Sequence, residues 1–357
     1  MNMTNSLLIL GGGGFIGTTF YQKYKDNFDK IIVFDWFKGP THKNNNYLIN
    51  KLKSEIRNKD VIINDDIFNI HSYKDILKDV DNIIILNADT GTGNSFYEPY
   101  QNTLYNSSIL TFCFEFFNKN DFKFSNIIFS SSRAVYGEGN WMSSSGKVEI
   151  SRSNYLKSGQ LICPNSNESL KLKSFDEGQF IKPLSVYALN KVFNESFLEI
   201  INQNNNTNIS ILRFQNVYGV GQSMTNPYTG VLNWFSKNLL NNLPVEIYER
   251  GLIQRDFVHV DDVVDSIYLS ILNNSGFNIY NIGSGKPIDL TSVAEIMKVN
   301  YNSKSKIEIV NKFRDGDVLG AFSDNLKASK ILNYQPKIEL SVGLNNYCDW
   351  FKYEYEK

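Results

Sequence analysis

Six short apolar runs recur along the first part of the chain, at residues 6–10, 30–35, 61–64, 82–88, 126–132 and 209–214. Each is rich in Ile, Leu, Val or Phe, and none alternates strictly between apolar and polar positions. A strand covered on both faces reads this way, because both sides of its pleat need apolar side chains. Between the runs lie helix-length segments, 14–26, 98–118 and 186–202. Strands alternating with helices predict βαβ units with right-handed crossovers, and so an α/β fold with a doubly wound parallel sheet.

Two stretches break the pattern. Residues 138–182 are rich in Ser, Gly, Lys and Asn with weak periodicity, and read as a long loop or insertion. Beyond about residue 220, shorter helices mix with strands at 245–249, 279–282 and 306–310. This predicts a first domain over 1–220, to which 257–283 returns, and a smaller second domain over 221–357.

Composition narrows the function classes. Hydrophobic residues make up 42% of the 357, and 36 basic against 37 acidic side chains leave a net charge of −1. Without a basic excess, neither nucleic acid nor an anionic membrane surface is the expected partner. Three cysteines and three histidines are too few and too scattered for a disulfide framework or a zinc site. The N-terminus lacks a signal-peptide pattern, and no apolar stretch approaches the roughly 20 residues of a membrane span, so a cytoplasmic protein is expected. Asparagine is over-used, at about one residue in eight, mostly in turn-like clusters. We read it as compositional bias.

The first chemical signal follows the first apolar run directly: Gly11-Gly12-Gly13-Gly14-Phe15-Ile16-Gly17. In the spacing Gly11, Gly14, Gly17, the first glycine makes the tight turn and the second lets a pyrophosphate approach the backbone. The third lets the new helix pack, its N-terminal N–H groups facing the anion. The second run ends in Asp35, placed to hold both ribose hydroxyls of an adenosine and to repel a 2′-phosphate. The pattern therefore predicts NAD rather than NADP. Lys38 lies beyond the strand end.

The second signal is Tyr187 with Lys191. Tyr-x-x-x-Lys occurs four times here, also at Tyr21/Lys25, Tyr47/Lys51 and Tyr353/Lys357. What separates Tyr187/Lys191 is its context: it starts a helical segment, so that both side chains share a face one turn apart, and it follows a run ending in Ser130-Ser131-Ser132. An ammonium beside a phenol favours the phenolate, which then serves as a base, while a serine hydroxyl holds the same reacting oxygen. The expected catalytic set is Ser132, Tyr187 and Lys191.

Further motifs run in order: Asp66-Ile67, Leu86-Asn87-Ala88, Asn106, 130–137, 213–219, 254–262 and 314–317. With them the chain resembles the extended short-chain dehydrogenase/reductases of the NAD-dependent nucleotide-sugar epimerase/dehydratase family, over essentially its whole length. The resemblance implies a Rossmann domain binding NAD through Gly11, Gly14, Phe15, Ile16, Gly17, Asp35, Asp66, Ile67, Leu86, Ala88, Asn106, Ser130, Tyr187, Lys191 and Phe214. It implies a nucleotide-diphosphate sugar held by Thr90, Ser132, Tyr187, Asn216, Val231, Arg255 and Arg314. Asn216 and the two arginines would take the diphosphate, since planar guanidinium groups donate paired hydrogen bonds to phosphate oxygens. His259 reads as structural, Asp261 and Asp262 as caps of the next helix, and Cys113 and Cys348 as core thiols.

Within the family, members that dehydrate the sugar carry an acid and a base where this chain has Arg133 and Ala134, so dehydration is not expected. Segments 87–95 and 131–139 look most like the dTDP-L-rhamnose 4-epimerase branch, whose insertion carries Cys pairs suggestive of a metal. Here the insertion holds only Cys163-Pro164-Asn165-Ser166, with serine at the second position, and no metal is expected. The implied activity is redox-neutral 4-epimerisation of a nucleotide sugar. Its alternatives are a 4-keto reductase or dehydrogenase, and a catalytically silent NAD-binding regulator. A homodimer is expected through helices 98–118 and 186–202. Phe112, Phe114, Phe116 and Phe117 on the first, and Phe193 and Phe197 on the second, exceed one core stripe.

Overall fold

The apolar runs are strands, and the reason they do not alternate is visible in where their side chains go. In β1 (Ser6–Leu10), Leu8 and Leu10 join one core with Ile83, Ile127 and Phe117, while Leu7 and Ile9 join another with Ile84, Phe20 and Ile267. The remaining strands of this sheet are β2 (Lys30–Asp35), β3 (Val61–Asn64), β4 (Asn82–Ile85), β5 (Asn126–Ser132), β6 (Asn208–Phe214) and β7 (Phe277–Ile282). All seven are parallel, in the order β3-β2-β1-β4-β5-β6-β7. This is the doubly wound α/β sheet expected from the sequence, with its switch point between β1 and β4, where ligands of such sheets bind. The computed structural model describes residues 5–38, 42, 47–91, 93–150, 159–204, 207–224, 230–313 and 317–357.

One face is covered by α1 (Phe15–Tyr24) and a later helix, Val260–Asn273. They are joined by Tyr24, which donates to Asp265 at 2.6 Å and stacks on Tyr268 at 4.2 Å. The other face carries α2 (Ile109–Lys119) and α3 (Val186–Asn204). The C-terminal half adds a separate core, in which α4 (Val231–Leu240) packs with helices Leu290–Asn300 and Leu340–Tyr355. Among the described residues no helix is long and apolar enough to cross a membrane.

At the N-terminal edge of the sheet, the strands begin with asparagines that hydrogen-bond across it. Asn208 Nδ2 donates to Asn126 Oδ1 (3.3 Å), Asn126 Nδ2 to Asn82 Oδ1 (2.8 Å), and Asn82 Nδ2 to the Ser6 carbonyl (3.2 Å). Asn208 Oδ1 accepts from the Gly276 N–H just before β7 (2.9 Å). Part of the asparagine excess is therefore architectural.

Several expectations need correction. The helix expected over 98–118 is broken into Pro99–Thr103, a π-turn Leu104–Ser108, and α2. At the break, Asn106 Nδ2 takes the Asn102 carbonyl at 2.7 Å, competing for the acceptor of the ordinary helical bond. The strand expected over 82–88 ends at Ile85, because Gly11 crosses against Asn87. The expected caps are not Asp261 and Asp262. His259 Nδ1 accepts from the Asp261 N–H (3.2 Å), whereas the Asp262 carboxylate accepts from the N–H groups of Lys337 and Ile338.

The aromatic faces assigned to an interface also differ. Phe114, Phe116 and Phe117 are buried within the chain, and Phe112 packs on Phe68. The apolar side chains left exposed are Phe96, Tyr97 and Tyr100 before α2, and Leu189, Phe193 and Ile200 along α3. Finally, the 138–182 stretch is more than a loop. It contains an antiparallel sheet of Asn140–Ser143, Gly146–Lys147 and Lys171–Lys173, with Trp141, Cys163 and Leu170 clustered against Leu319.

Candidate active site

The glycine loop leaves β1 so abruptly that Gly11 takes φ +75°, and a Cβ there would stand 2.6 Å from the Asn87 nitrogen. At Gly17 a Cβ would meet Gly12 at 2.6 Å, so the glycine lets α1 settle on the loop. Gly14 is different. A Cβ there would meet only the Gly11 carbonyl, at 3.3 Å, and the residue faces a large cavity. Bare backbone at Gly14 is thus needed chiefly by something arriving from the cavity. Gly14 also precedes α1 without any side-chain cap, leaving the first-turn N–H groups at Phe15, Ile16 and Gly17 as donors for an anion at the positive end of the helix.

Asp35 stands beside this loop at the end of β2. It accepts from the N–H groups of Gly13 and Phe37, both at 2.9 Å, and His42 Nε2 stands 3.2 Å from its Oδ1. His42 carries no motif, and sequence reading missed it. Leu86, Ala88, Ser130 and Phe214 line the same cavity. Asp66 caps a 3₁₀ turn, accepting from the Phe68 N–H, while Ile67 joins the core beneath. Asn106 lies off the cavity wall, donating to the Asp89 and Asn102 carbonyls. These residues fit a dinucleotide: a capless helix end for the pyrophosphate, and a carboxylate for the adenosine ribose.

The catalytic candidates converge at the carboxyl end of β5. Tyr187, near the start of α3, stands close enough to Ser132 for the serine hydroxyl to act on its phenol, and Ser132 Oγ accepts from the Ala134 N–H at 3.2 Å. Burial pushes the phenol up to about 12; the Ser132 hydroxyl and the Arg133 charge pull against this, and Asp89 adds to the rise. Lys191 is only 2% exposed, one turn on, with Nζ 5.7 Å from the Tyr187 ring centroid and 2.7 Å from the Ser130 carbonyl. Burial pushes its ammonium down to about 7, opposed by the Glu195 carboxylate. Glu195 is itself buried. It takes both Nε and Nη2 of Arg213 (3.0 and 2.6 Å) and the Ser131 hydroxyl (2.5 Å). This ion pair behind the site went unnoticed in the sequence, where Arg213 is only the first residue of the 213–219 motif and Glu195 belongs to no pattern.

The cavity, about 850 Å³, extends from the glycine loop to the C-terminal half, a size suited to a ligand larger than a simple sugar. Thr90, Ser132, Asn216, Val231 and Arg255 all border it. Arg255 is buried with its fork in use: Nη2 donates to Asp317 Oδ1 and the Val318 carbonyl (both 2.5 Å), and Nη1 to the Gln254 carbonyl (2.9 Å). Arg314 lies outside the described residues. Arg133, read from sequence only as the residue that removes a dehydratase acid, stands in the cavity wall and donates through Nε to Asn216 Oδ1 at 3.0 Å.

Among the described residues no three His, Cys, Asp or Glu side chains gather as a metal-ligating group. Cys163 is buried, and hydrogen bonds from the Ser166 hydroxyl and the Asn165 and Ser166 N–H groups hold its thiol below its ordinary value.

Comparison with known proteins adds the following. The model of the NAD dependent epimerase/dehydratase family matches residues 7–283. A dTDP-L-rhamnose 4-epimerase of Burkholderia thailandensis is 29% identical over 357 residues, which cover 98% of this chain and 96% of that protein. Among solved structures, the UDP-glucuronic acid 4-epimerase of Bacillus cereus, in complex with UDP-glucuronic acid and NAD, has a TM-score of 0.81 at 23% identity, covering 98% of this chain and 100% of that one. The UDP-N-acetylglucosamine 4-epimerase of Methanobrevibacter ruminantium gives 0.78 at 23% identity, covering 98% and 99%. Both structural likenesses are likenesses of fold.

Proposed function

The chain belongs to the NAD-dependent epimerase/dehydratase family, and on that premise we propose that it is a nucleotide-sugar 4-epimerase working through a transient 4-keto sugar. The observation that carries the reading is the convergence of Ser132, Tyr187 and Lys191 in the wall of one cavity that starts at the glycine loop. The cofactor is NAD, which when bound supplies a reversible hydride acceptor and a positively charged ring. In this reading 1–220 with 257–283 holds the cofactor, and 221–357 supplies much of the wall for the nucleotide sugar.

The roles follow from the geometry. Tyr187 takes the proton of the sugar 4-hydroxyl, and Ser132 donates to the same oxygen, so the proton moves along a preset line. Lys191 is fixed on the Ser130 carbonyl and holds the nicotinamide ribose. Anchoring at the diphosphate end lets the 4-keto sugar turn and present its other face, after which Tyr187 returns the proton. The protein alone keeps the phenol protonated at neutral pH, so the base is set for use only in the assembled site. Ala134 and Arg133 offer no carboxylate to expel a neighbouring hydroxyl, which supports epimerisation over dehydration. Incubation with UDP-glucose, UDP-N-acetylglucosamine and dTDP-L-rhamnose, with product separation, tests the reading: a 4-epimer should appear without net NADH. Stoichiometric NADH turnover would replace the epimerase by a reductase or dehydrogenase.

Cofactor choice gives a separate check. A 2′-phosphate would have to sit against the Asp35 carboxylate, so calorimetric titration should show NAD bound at least tenfold more tightly than NADP, about 1.4 kcal/mol. Asp35→Ala should narrow that gap, and equal affinities in the wild type would contradict the role of Asp35.

For assembly, the reading includes a two-fold homodimer. Leu189, Phe193 and Ile200 form one stripe of α3, and Phe96, Tyr97 and Tyr100 add aromatic surface nearby; an isologous four-helix contact would cover both. Light scattering should give about twice 40.9 kDa, and Leu189→Glu combined with Phe193→Glu should yield folded monomer. A wild-type mass of a single chain would refute the dimer.

A further inference from the structure

We propose that Arg133 is a substrate-binding residue, whose guanidinium fork grips the sugar-proximal phosphate of the nucleotide-diphosphate sugar. The proposal deepens the reading of the cavity as a nucleotide-sugar site and rests on it. Arg133 opens the 3₁₀ turn Arg133–Tyr136 directly after Ser132, between the reacting end of the cavity and the Asn216–Arg255 end. Its Nε is committed to Asn216 Oδ1 at 3.0 Å, which fixes the plane of the group. Among the described residues neither Nη has an acceptor.

Two carboxylates lie close enough to favour its charge, and both are spent elsewhere. Asp317 bonds Arg255 at 2.5 Å. Glu138 accepts from the N–H groups of Gly139, Leu319 and Gly320 and from Trp141 Nε1, holding the insertion to the C-terminal half. Burial and the facing Arg255 charge both oppose the guanidinium, lowering it to about 10, so it remains cationic at neutral pH. A cation held in a cavity wall without a carboxylate of its own is stabilised by an anion that enters the cavity.

Arg133 also suits this role better than Arg255, one of the two arginines assigned to the diphosphate from sequence. Arg255 already spends its fork on Asp317, Val318 and Gln254, whereas Arg133 presents two free, coplanar Nη groups. A fork oriented through Nε matches two phosphate oxygens bidentately. The position between Ser132 and Asn216 places it near the phosphate that carries the sugar, beyond the nucleoside-linked one.

Calorimetric titration of the NAD-saturated protein with UDP, dTDP, GDP, CDP and ADP, each against its monophosphate, tests this. For the diphosphate that the wild type binds, Arg133→Gln should weaken affinity at least tenfold, while the matching monophosphate changes less than twofold. Arg133→Lys, which keeps a point charge, should recover part of the loss. Equal diphosphate affinity in Arg133→Gln and wild type would overturn the assignment, as would equal losses for the two phosphates. A loss seen only with UDP-glucuronic acid, and not with UDP, would assign the fork to a sugar carboxylate and overturn it as well. If the wild type bound none of the five diphosphates, the nucleotide-sugar reading itself would fall.

Discussion

Tyr187→Phe should lower turnover by about 10² to 10⁴-fold, the range for loss of a positioned acid–base group, while NAD stays bound. The substitution removes one oxygen beside Ser132, and leaves the ring that packs above Lys191. The structure therefore has little reason to rearrange, and the loss should appear in kcat more than in KM. In the wild type, the limb of the pH–rate profile governed by this base should rise with pH as the phenol ionises, and burial, which raises its pKa, should place that limb toward high pH. That limb should vanish in Tyr187→Phe. Tyr353, which is 64% exposed and distant from the cavity wall, supplies the control, and Tyr353→Phe should turn over normally. Near-normal activity of Tyr187→Phe would remove this tyrosine from the mechanism.

The largest effect on stability is expected behind the site. Glu195→Ala should destabilise the fold by about 3–5 kcal/mol, because it strands the Arg213 guanidinium in the core. Arg213 is 1% exposed; its other contacts are the neutral Tyr136 hydroxyl and the Glu177 carbonyl, which do not replace a carboxylate. Urea unfolding should show a lower midpoint with an unchanged slope. Glu339→Ala, which breaks an exposed pair with Lys286, should barely move the midpoint. If both substitutions moved it equally, the buried pair would have no special weight.

The sequence made the parallel sheet legible because strands buried on both faces leave an unmistakable run of apolar residues, and because helix-length patterns lie between several of the runs. The glycine loop was legible for a similar reason: Gly11 and Gly17 are required by the chain's own close approaches, which few other arrangements demand. What escaped was set by side-chain contacts that no periodicity records, some local and some between distant segments. Asn106 reads as one more helical residue until its side chain is seen taking the Asn102 carbonyl and opening a π-turn. The Phe112–Phe117 cluster reads as an excess of apolar surface. The structure spends most of it on Phe122, Phe124 and Phe197, which no periodicity links to it. Arg133 was read only for what it replaces, since its bond to Asn216 joins residues far apart in the chain.

The row of asparagines along the N-terminal edge of the sheet has a consequence for how such a protein can change. Their amides tie β1, β4, β5 and β6 to one another, and the loop before β7 to β6, at the end farthest from the cavity. Alignment of the strands is thereby secured on the side that carries no chemistry. The loops at the opposite edge can then lengthen, shorten or exchange residues without sliding one strand past another. A chain built this way separates the positions that keep its shape from those that choose its ligand, and selection can retask the second set while leaving the first untouched.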